Sequence, residues 1–535
     1  LAWANAHNLF FNNEKTRKDT KNCHPALLTH YNYFRPNDIF LCFSIAFASW
    51  EVILSWFGNL SAECSVCCFH LESEMNYYDV FPLVVPSNQS CEIRIRPRFE
   101  HAFFPAAENL TVVHLSVDGL EFHRESGEAL WEPSENQIQS WQLAADGTLH
   151  IQSMFLGEQE HIIQVKIRNP QDSGIKTIRS FRVYSVEPDL YALRPLKGDF
   201  HIHTNRSDGR ECPCYVAARY RQAGFDFAAI SDHMRYAPSL EAKEYWENLV
   251  PDFKLYPGEE VHATGNPVHI INFGSSFSVN QKCFNDEETY RREVQRYLQD
   301  IPQQVPGLDY FPVASSEWVF DQIRAGGGLA VFCHPYWYTT RYVINEGLIS
   351  EIFRRRRFDA FELLGGFYRH QPRSNNYQVL RWCEERSRGN RFPVVGLSDS
   401  HGTDLFPLSK LGIDSSLGIS YTQSRDADLF NWYYTIVLAK ENSVPAIIEA
   451  IRNHHCAAID APAGERPNVY GDFRIGKYVN FLLREYFPVH QNFCQEEGSL
   501  MLDYLAGEKE MGTVLQSLSG RSTRFREACF CPSKV

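Results

Sequence analysis

Histidines and carboxylates recur in this chain at spacings that let them converge on one centre. The segment Gly198-Asp-Phe-His-Ile-His-Thr204 sets His201 and His203 two residues apart at what reads as a strand end. Side chains two apart on a strand share a face, so both imidazoles can reach one cation. Taken alone, such a pair reads more readily as two ordinary polar residues. Others follow it in order: Asp208 in a Ser-Asp-Gly turn, Asp232 and His233 in Ser-Asp-His, Glu259 after Pro257-Gly258, His269, His334 ahead of Pro335, and Asp399 with His401, which repeat the two-residue spacing.

The elements that must hold these residues can be read from the rhythm of the chain. Seven apolar runs are expected as strands: Leu196 to His203, Phe227 to Ser231, Lys254 to Val261, Val268 to Phe273, Leu329 to His334, Ala360 to Leu364 and Val394 to Asp399. Helical stretches alternate with most of them (Pro213 to Ala223, Asp286 to Leu298, Glu346 to Arg355, Ser374 to Arg386). That alternation predicts a parallel α/β sheet with crossovers, and seven strands suggest a closed barrel whose polar residues gather at the carboxyl ends of the strands. Residues 275–325 read as an insertion, Val444 to Arg452 as an amphipathic helix, and residues 471–535 as a helical tail. Ahead of the barrel, residues 75–190 hold short alternating runs such as Leu110-Thr-Val-Val-His-Leu-Ser-Val117 and His161-Ile-Ile-Gln-Val-Lys-Ile167, the pattern of an antiparallel β-sandwich. Trp131 and Trp141 in that region are assigned to packing.

Composition narrows the class of protein. Of 535 residues, 44% are hydrophobic and 22% charged, as in a folded globular protein. A net charge of -13 argues against a nucleic-acid polymer as partner. The only basic run is Arg354 to Arg357, on a predicted helix. Fifteen cysteines show no zinc-finger spacing, and Cys64, Cys67 and Cys68 lack a second pair at a suitable distance, so unpaired thiols in a reducing, cytoplasmic setting are expected. Ile39 to Phe57 is apolar but interrupted by Glu51, and no membrane anchor is expected there. Residues 1–74 contain no methionine and differ in texture from the rest, reading as an extension outside the mature fold.

The ordered series His-x-His, Ser-Asp-Gly, Ser-Asp-His, Gly-Glu-Glu, His, Cys-His-Pro and Ser-Asp-Ser-His resembles the polymerase-and-histidinol-phosphatase (PHP) superfamily over about Leu196 to Ala461. The preceding β-rich region resembles the branch containing carbaryl-hydrolase-like metallohydrolases. The resemblance implies a distorted (β/α)7 barrel and two or three divalent ions. One would be bound by His201, His203, Glu259 and Asp399, a second by Glu259, His269 and His334, and a third by Asp208, His233 and His401. Imidazoles and carboxylates without thiolate suit zinc, manganese or iron. Asp199 and Asp232 are candidate acceptors for the free N–H of a metal-bound histidine. Arg235, Arg369 and Lys410 are candidate phosphate clamps, and Trp337 and Tyr338 a candidate pocket wall. His262 is left out of the ligand set, and His454 and His455 are assigned to a helix end.

Three dications balanced by three carboxylates and one hydroxide leave a charge of about +2, which favours a phosphate ester as substrate. The expected function is therefore a phosphoesterase acting on a small monoester or diester. A carboxylester or carbamate hydrolase using the same ions is the first alternative, and an inactive scaffold with a ligand-binding sandwich the second. Oligomeric state is not encoded in any feature of the sequence.

Overall fold

The computed structural model describes residues 77–119, 137–168, 174–302, 305–338, 342–365, 372–403, 429–462 and 465–530. The readings made on residues 1–76, including the three-cysteine cluster and the apolar stretch, and on Trp131, Arg369 and Lys410 lie outside these residues.

The first eight strands are β1 (Tyr78–Phe81), β2 (Val84–Pro86), β3 (Gln89–Pro97), β4 (Leu110–Ser116), β5 (Ile138–Leu143), β6 (Leu149–Phe155), β7 (Gln159–Arg168) and β8 (Ile175–Val186). They form two four-stranded sheets, β1-β3-β6-β5 and β2-β8-β7-β4, antiparallel throughout except for the parallel β2–β8 pair. Strand alternation puts Ile93, Ile95, Leu149 and Ile151 of one sheet and Val112, Val165, Phe181 and Val183 of the other into one apolar cluster. Trp141 is partly buried against that cluster.

Within this apolar layer runs a buried polar chain. His114 Nδ1 lies 2.7 Å from Ser153 Oγ, His114 Nε2 lies 2.8 Å from His161 Nδ1, and His161 Nε2 lies 2.7 Å from Ser185 Oγ. Burial lowers His114 to about 4, and burial together with His114 lowers His161 to about 3. Because both folded-state values lie below the ordinary value near 6.5, the unfolded chain binds more protons under mild acid. The stability contributed by the neutral rings is complete above about pH 6.5 and is lost as pH falls toward the folded values. Between pH 7 and pH 5 each ring should cost about 2 kcal/mol. Urea unfolding at the two pH values should show a smaller acid loss in a His114→Gln, His161→Gln variant than in the parent.

The remaining strands are β9 (Arg194–Asp199), β10 (Phe227–Ala228), β11 (Lys254–Leu255), β12 (Gly258–Val261), β13 (Ile270–Phe273), β14 (Leu329–Phe332), β15 (Ala360–Leu364), β16 (Val394–Gly396), β17 (Tyr433–Ala439), β18 (Cys456–Asp460) and β19 (Asn468–Tyr470). They form a six-stranded sheet, β11-β10-β9-β17-β18-β19, and a five-stranded sheet, β12-β13-β14-β15-β16. Two isolated parallel bridges, His233 with Glu260 and Ile202 with Ser400, join the strand ends of one sheet to those of the other.

This mixed α/β architecture departs from the uniformly parallel sheet expected from the alternation of strands and helices. β12–β13, β13–β14, β9–β17 and β17–β18 are antiparallel. No helix separates β12 from β13, so that connection is a hairpin rather than a crossover. The expected strand Lys254 to Val261 is two strands in different sheets, divided at Tyr256-Pro257, where proline cannot donate to a ladder. Within residues 275–325, the helix Phe311–Ala325 packs on β13 and β14 and supplies Val313, Trp318, Phe320 and Ile323 to the core. β17 and β18, which the sequence reading did not assign, carry fully buried runs such as Tyr433-Tyr-Thr-Ile-Val-Leu-Ala439.

Helices Phe473–Glu485, Phe487–Ala506, Met511–Leu518 and Arg521–Phe530 end the described chain. The second of them packs on the helix Pro213–Gln222. No helix among the described residues is long and apolar enough to cross a membrane. The nine described cysteines are free.

Candidate metal centre

Strand ends and the loops leaving them bring the chemistry together. His201 and His203 follow β9, and both are fully buried. The chain then folds back in the turn bearing Asp208. Gly209 N–H donates to Thr204 O at 2.9 Å, and a Cβ at position 209 would stand 2.6 Å from the His203 carbonyl carbon, so the turn closes only on glycine. His334 and Asp399 have φ of 27° and 47°. Such left-handed geometry in non-glycine residues costs of order 1–3 kcal/mol, and here it ends each strand where its side chain enters the cluster.

Asp399 Oδ1 lies 3.1 Å from His201 Nε2 and 2.8 Å from His203 Nε2. Asp208 Oδ1 lies 3.5 Å from His233 Nε2 and 3.3 Å from His401 Nε2. Between these groups stands Glu260. Its Oε1 is 2.8 Å from His269 Nδ1 and 3.1 Å from His334 Nε2, its Oε2 contacts His233 Nδ1, and it lies 3.7 Å from both His201 and His203.

The expectation for Glu259 is corrected by this geometry. Its carboxylate turns away from the histidines and accepts from Asn272 Nδ2 at 3.0 Å, Ser278 Oγ at 2.7 Å, the Val279 N–H at 2.6 Å and Asn280 Nδ2 at 3.0 Å. A one-residue change of phase along a strand moves every side chain to the opposite face. The phase that brings Glu260 in also brings in His262, two residues on. His262 Nε2 lies 3.3 Å from Glu260 Oε2 and 3.0 Å from His233 Nδ1, and its ring stacks on His269 with centroids 3.8 Å apart. His262 therefore stands in the cluster from which the family order of motifs leaves it out.

Among the described residues, the partners of Asp199 and Asp232 are not imidazole rings. Asp199 takes the His201 backbone N–H at 3.1 Å, the Tyr220 hydroxyl at 3.0 Å and the Ser398 N–H. Asp232 takes the N–H and hydroxyl of Thr204 at 2.7 and 2.6 Å and the Ser207 hydroxyl. A short aspartate just ahead of the strand-end histidine reaches nearby backbone more readily than a ring, as in an Asx turn. These two residues brace the strand ends and the Asp208 turn. A carboxylate outside the expected set that does meet the second nitrogen of a cluster histidine is Glu362, whose Oε2 lies 2.7 Å from His201 Nδ1. The sequence reading missed it, although an acid inside the apolar run Ala-Phe-Glu-Leu-Leu was a visible signal. Arg235 is exposed two residues past His233. Trp337 is half-buried with its ring 5.7 Å from His334 and 4.8 Å from Tyr342, while Tyr338 is exposed.

The electrostatics follow from crowding. Burial opposes ionisation of Glu260, yet His233 and His269 hold it well below the usual carboxylate range, and His201 does the same for Asp399. Burial likewise opposes charge on His201 and His233. Asp399 and Glu362 outweigh it at His201, raising that ring well above its ordinary value, and Glu260 and Asp208 raise His233 to about 11. Burial, reinforced by the neighbouring His401 and His233 rings, lowers His203 to about 3. His201 Nε2, Glu260 Oε2 and His269 Nδ1 are buried and make no hydrogen bond of acceptable geometry among the described residues. Buried polar atoms are rarely left so, and each of these residues belongs to a donor set that could hold a cation. The donor atoms fall into overlapping sets that each lie within coordinating reach of one another: His201, His203 and Asp399; Glu260, His269 and His334; His203, Asp208, His233 and His401; and His233, Glu260 and His262.

No protein-family model and no curated protein matches the chain. Among solved structures, similarity is found to a two-domain protein containing a predicted PHP-like metal-dependent phosphoesterase from Bacteroides vulgatus, at 19% identity and TM-score 0.31, covering 51% of this chain and 66% of that one. A protein assigned as a metal-dependent phosphoesterase from Bifidobacterium adolescentis matches at 21% identity and TM-score 0.28, covering 43% and 95%. An amidohydrolase from Chromobacterium violaceum solved with bound sulfate matches at 15% identity and TM-score 0.24, covering 38% and 87%. At these scores the functional reading rests on the site itself.

Proposed function

We propose that the chain is a metal-dependent hydrolase and, within that class, a phosphoesterase cleaving a small phosphate monoester or diester. The observation that carries this reading is Glu260, a fully buried carboxylate shared by donor sets on either side of it. His201, His203 and Asp399 would hold one ion, His269 and His334 a second, and Asp208, His233 and His401 a third, with Glu260 between them. Bound divalent ions supply Lewis-acid polarisation of a phosphoryl oxygen and water with a pKa lowered to about 7. The chain fixes the donors before any ion arrives, through Asp199, Asp232 and the buried strand ends. Three carboxylates, Asp208, Glu260 and Asp399, against three dications leave the positive excess that an anionic ester requires. The circuit β9-β10-β12-β13-β14-β15-β16, closed through the two isolated bridges, supports a distorted PHP-type barrel, with the two facing sheets ahead of it as a β-sandwich.

Metal analysis of the purified chain, with a panel of phosphate and carboxyl esters in added manganese or zinc, tests the proposal. Phosphate-ester hydrolysis that stops on chelation is expected. Cleavage of carboxyl esters alone would overturn the phosphoesterase reading, and protein that binds neither ion would overturn the hydrolase reading as a whole.

Burial grades the three sets. The Asp208 side chain is 58% exposed, whereas those of His201, His203 and Glu260 are 0% exposed. The outer ion should therefore exchange most readily. Asp208→Ala should weaken one equivalent by at least about 100-fold while two remain bound, as read by competition with a chromophoric chelator.

A further inference from the structure

We propose that Glu362 is a positioning residue of the centre, fixing His201 in the tautomer that presents its Nε2 lone pair to a bound cation. The inference rests on the metal-centre reading above and assigns a role to a residue outside the nine-residue ligand set. Glu362 occupies the middle of β15, where all five residues are buried. An acid in such a position is costly unless paired, and among the described residues the hydrogen-bond partner of its carboxylate is His201, at 2.7 Å with both side chains fully buried.

A neutral imidazole has one N–H and one lone pair, so whichever nitrogen donates decides which is free to bind. Donation from Nδ1 to Glu362 leaves the lone pair on Nε2. That atom lies 3.1 Å from Asp399 Oδ1 and 3.7 Å from Glu260 Oε1, and it makes no hydrogen bond of acceptable geometry. His203 provides the contrast within the same strand end. Its Nε2 meets Asp399 at 2.8 Å, but its Nδ1 is buried with no hydrogen-bond partner among the described residues, so no side-chain acceptor fixes its tautomer. Of the two, His201 is the one whose Nδ1 meets a carboxylate, and that group also makes the ring a stronger donor.

The full chain, stripped of metal and titrated with Mn2+ or Zn2+ against a chromophoric chelator, tests this assignment. Glu362→Gln should weaken one equivalent by about 10–100-fold, and Glu362→Leu by at least as much. Melting of the metal-free protein should fall less in Glu362→Gln, whose amide oxygen still accepts from His201 Nδ1, than in Glu362→Leu, which leaves that N–H buried without an acceptor. In a His201→Ala background, where that equivalent is already lost, Glu362→Gln should leave the affinity of the remaining equivalents unchanged. Parental affinity in both Glu362 variants, or a further loss in the His201→Ala background, would overturn the assignment while leaving the metal-centre reading intact. A parent chain that binds neither ion would overturn both.

Discussion

Glu260→Gln should lower kcat/KM for the hydrolysed ester by about 100–1,000-fold and release metal, whereas Glu259→Gln should keep the full metal content and lose stability instead. The two adjacent glutamates are equally buried, and chemistry separates them. Glu260 faces His233, His269 and His334, and a glutamine there would keep the shape while removing the shared charge. Glu259 accepts four hydrogen bonds from Asn272, Ser278, Val279 and Asn280. A side-chain amide would turn an NH2 group toward some of those donors, at a cost of about 3 kcal/mol. Metal analysis, steady-state kinetics and urea unfolding of both variants make the comparison. A Glu259→Gln protein that loses metal while Glu260→Gln keeps it would reverse the assignment.

That pair also shows where the sequence was legible and where it was not. His201 with His203, and Asp399 with His401, stood out because their spacing carries its own geometry, whatever the strand pairs with. In β12, Gly258, Glu259, Glu260 and Val261 are all buried, so alternation offers no contrast between a wet and a dry face from which to read phase. The phase is set by the break at Pro257 and by the bridge from Glu260 to His233, and the second of these is a long-range contact. His262 is left out on a different ground, the order of motifs in the family resemblance, which gives the role to His269. The seven expected strands near the centre all contain observed strand residues, since each is a dense apolar run, but the directions of their ladders depend on connections that local pattern does not specify. The hairpin between β12 and β13 and the return of β17 against β9 are both of this kind.

The second large effect is expected far from the histidines, at Glu497. Arg221, on the helix Pro213–Gln222, is fully buried and donates through Nε and Nη2 to Glu497 Oε2 at 2.8 and 2.6 Å, through Nη1 to Phe225 O at 2.9 Å and through Nη2 to Ser522 Oγ at 3.1 Å. Burial pushes the Glu497 carboxyl up and Arg221 pulls it down, with a net rise, while Arg221 is itself held above its ordinary value against burial, so desolvation offsets much of the attraction within the pair. Breaking it is different, because Glu497→Ala would strand a guanidinium away from water, at about 3–5 kcal/mol. Replacing both partners by apolar residues should recover most of that loss, which distinguishes a stranded charge from lost packing. The consequence should reach the centre through Tyr220, the neighbour of Arg221. Its hydroxyl lies 3.0 Å from Asp199, 2.7 Å from Ser398 and 2.9 Å from Ser400, the residues that bracket His201, Asp399 and His401. Glu497→Ala should therefore lower the urea midpoint and weaken metal retention together, whereas the apolar double replacement should restore both. Restored stability without restored metal would show that the C-terminal helices do not position the centre through this helix.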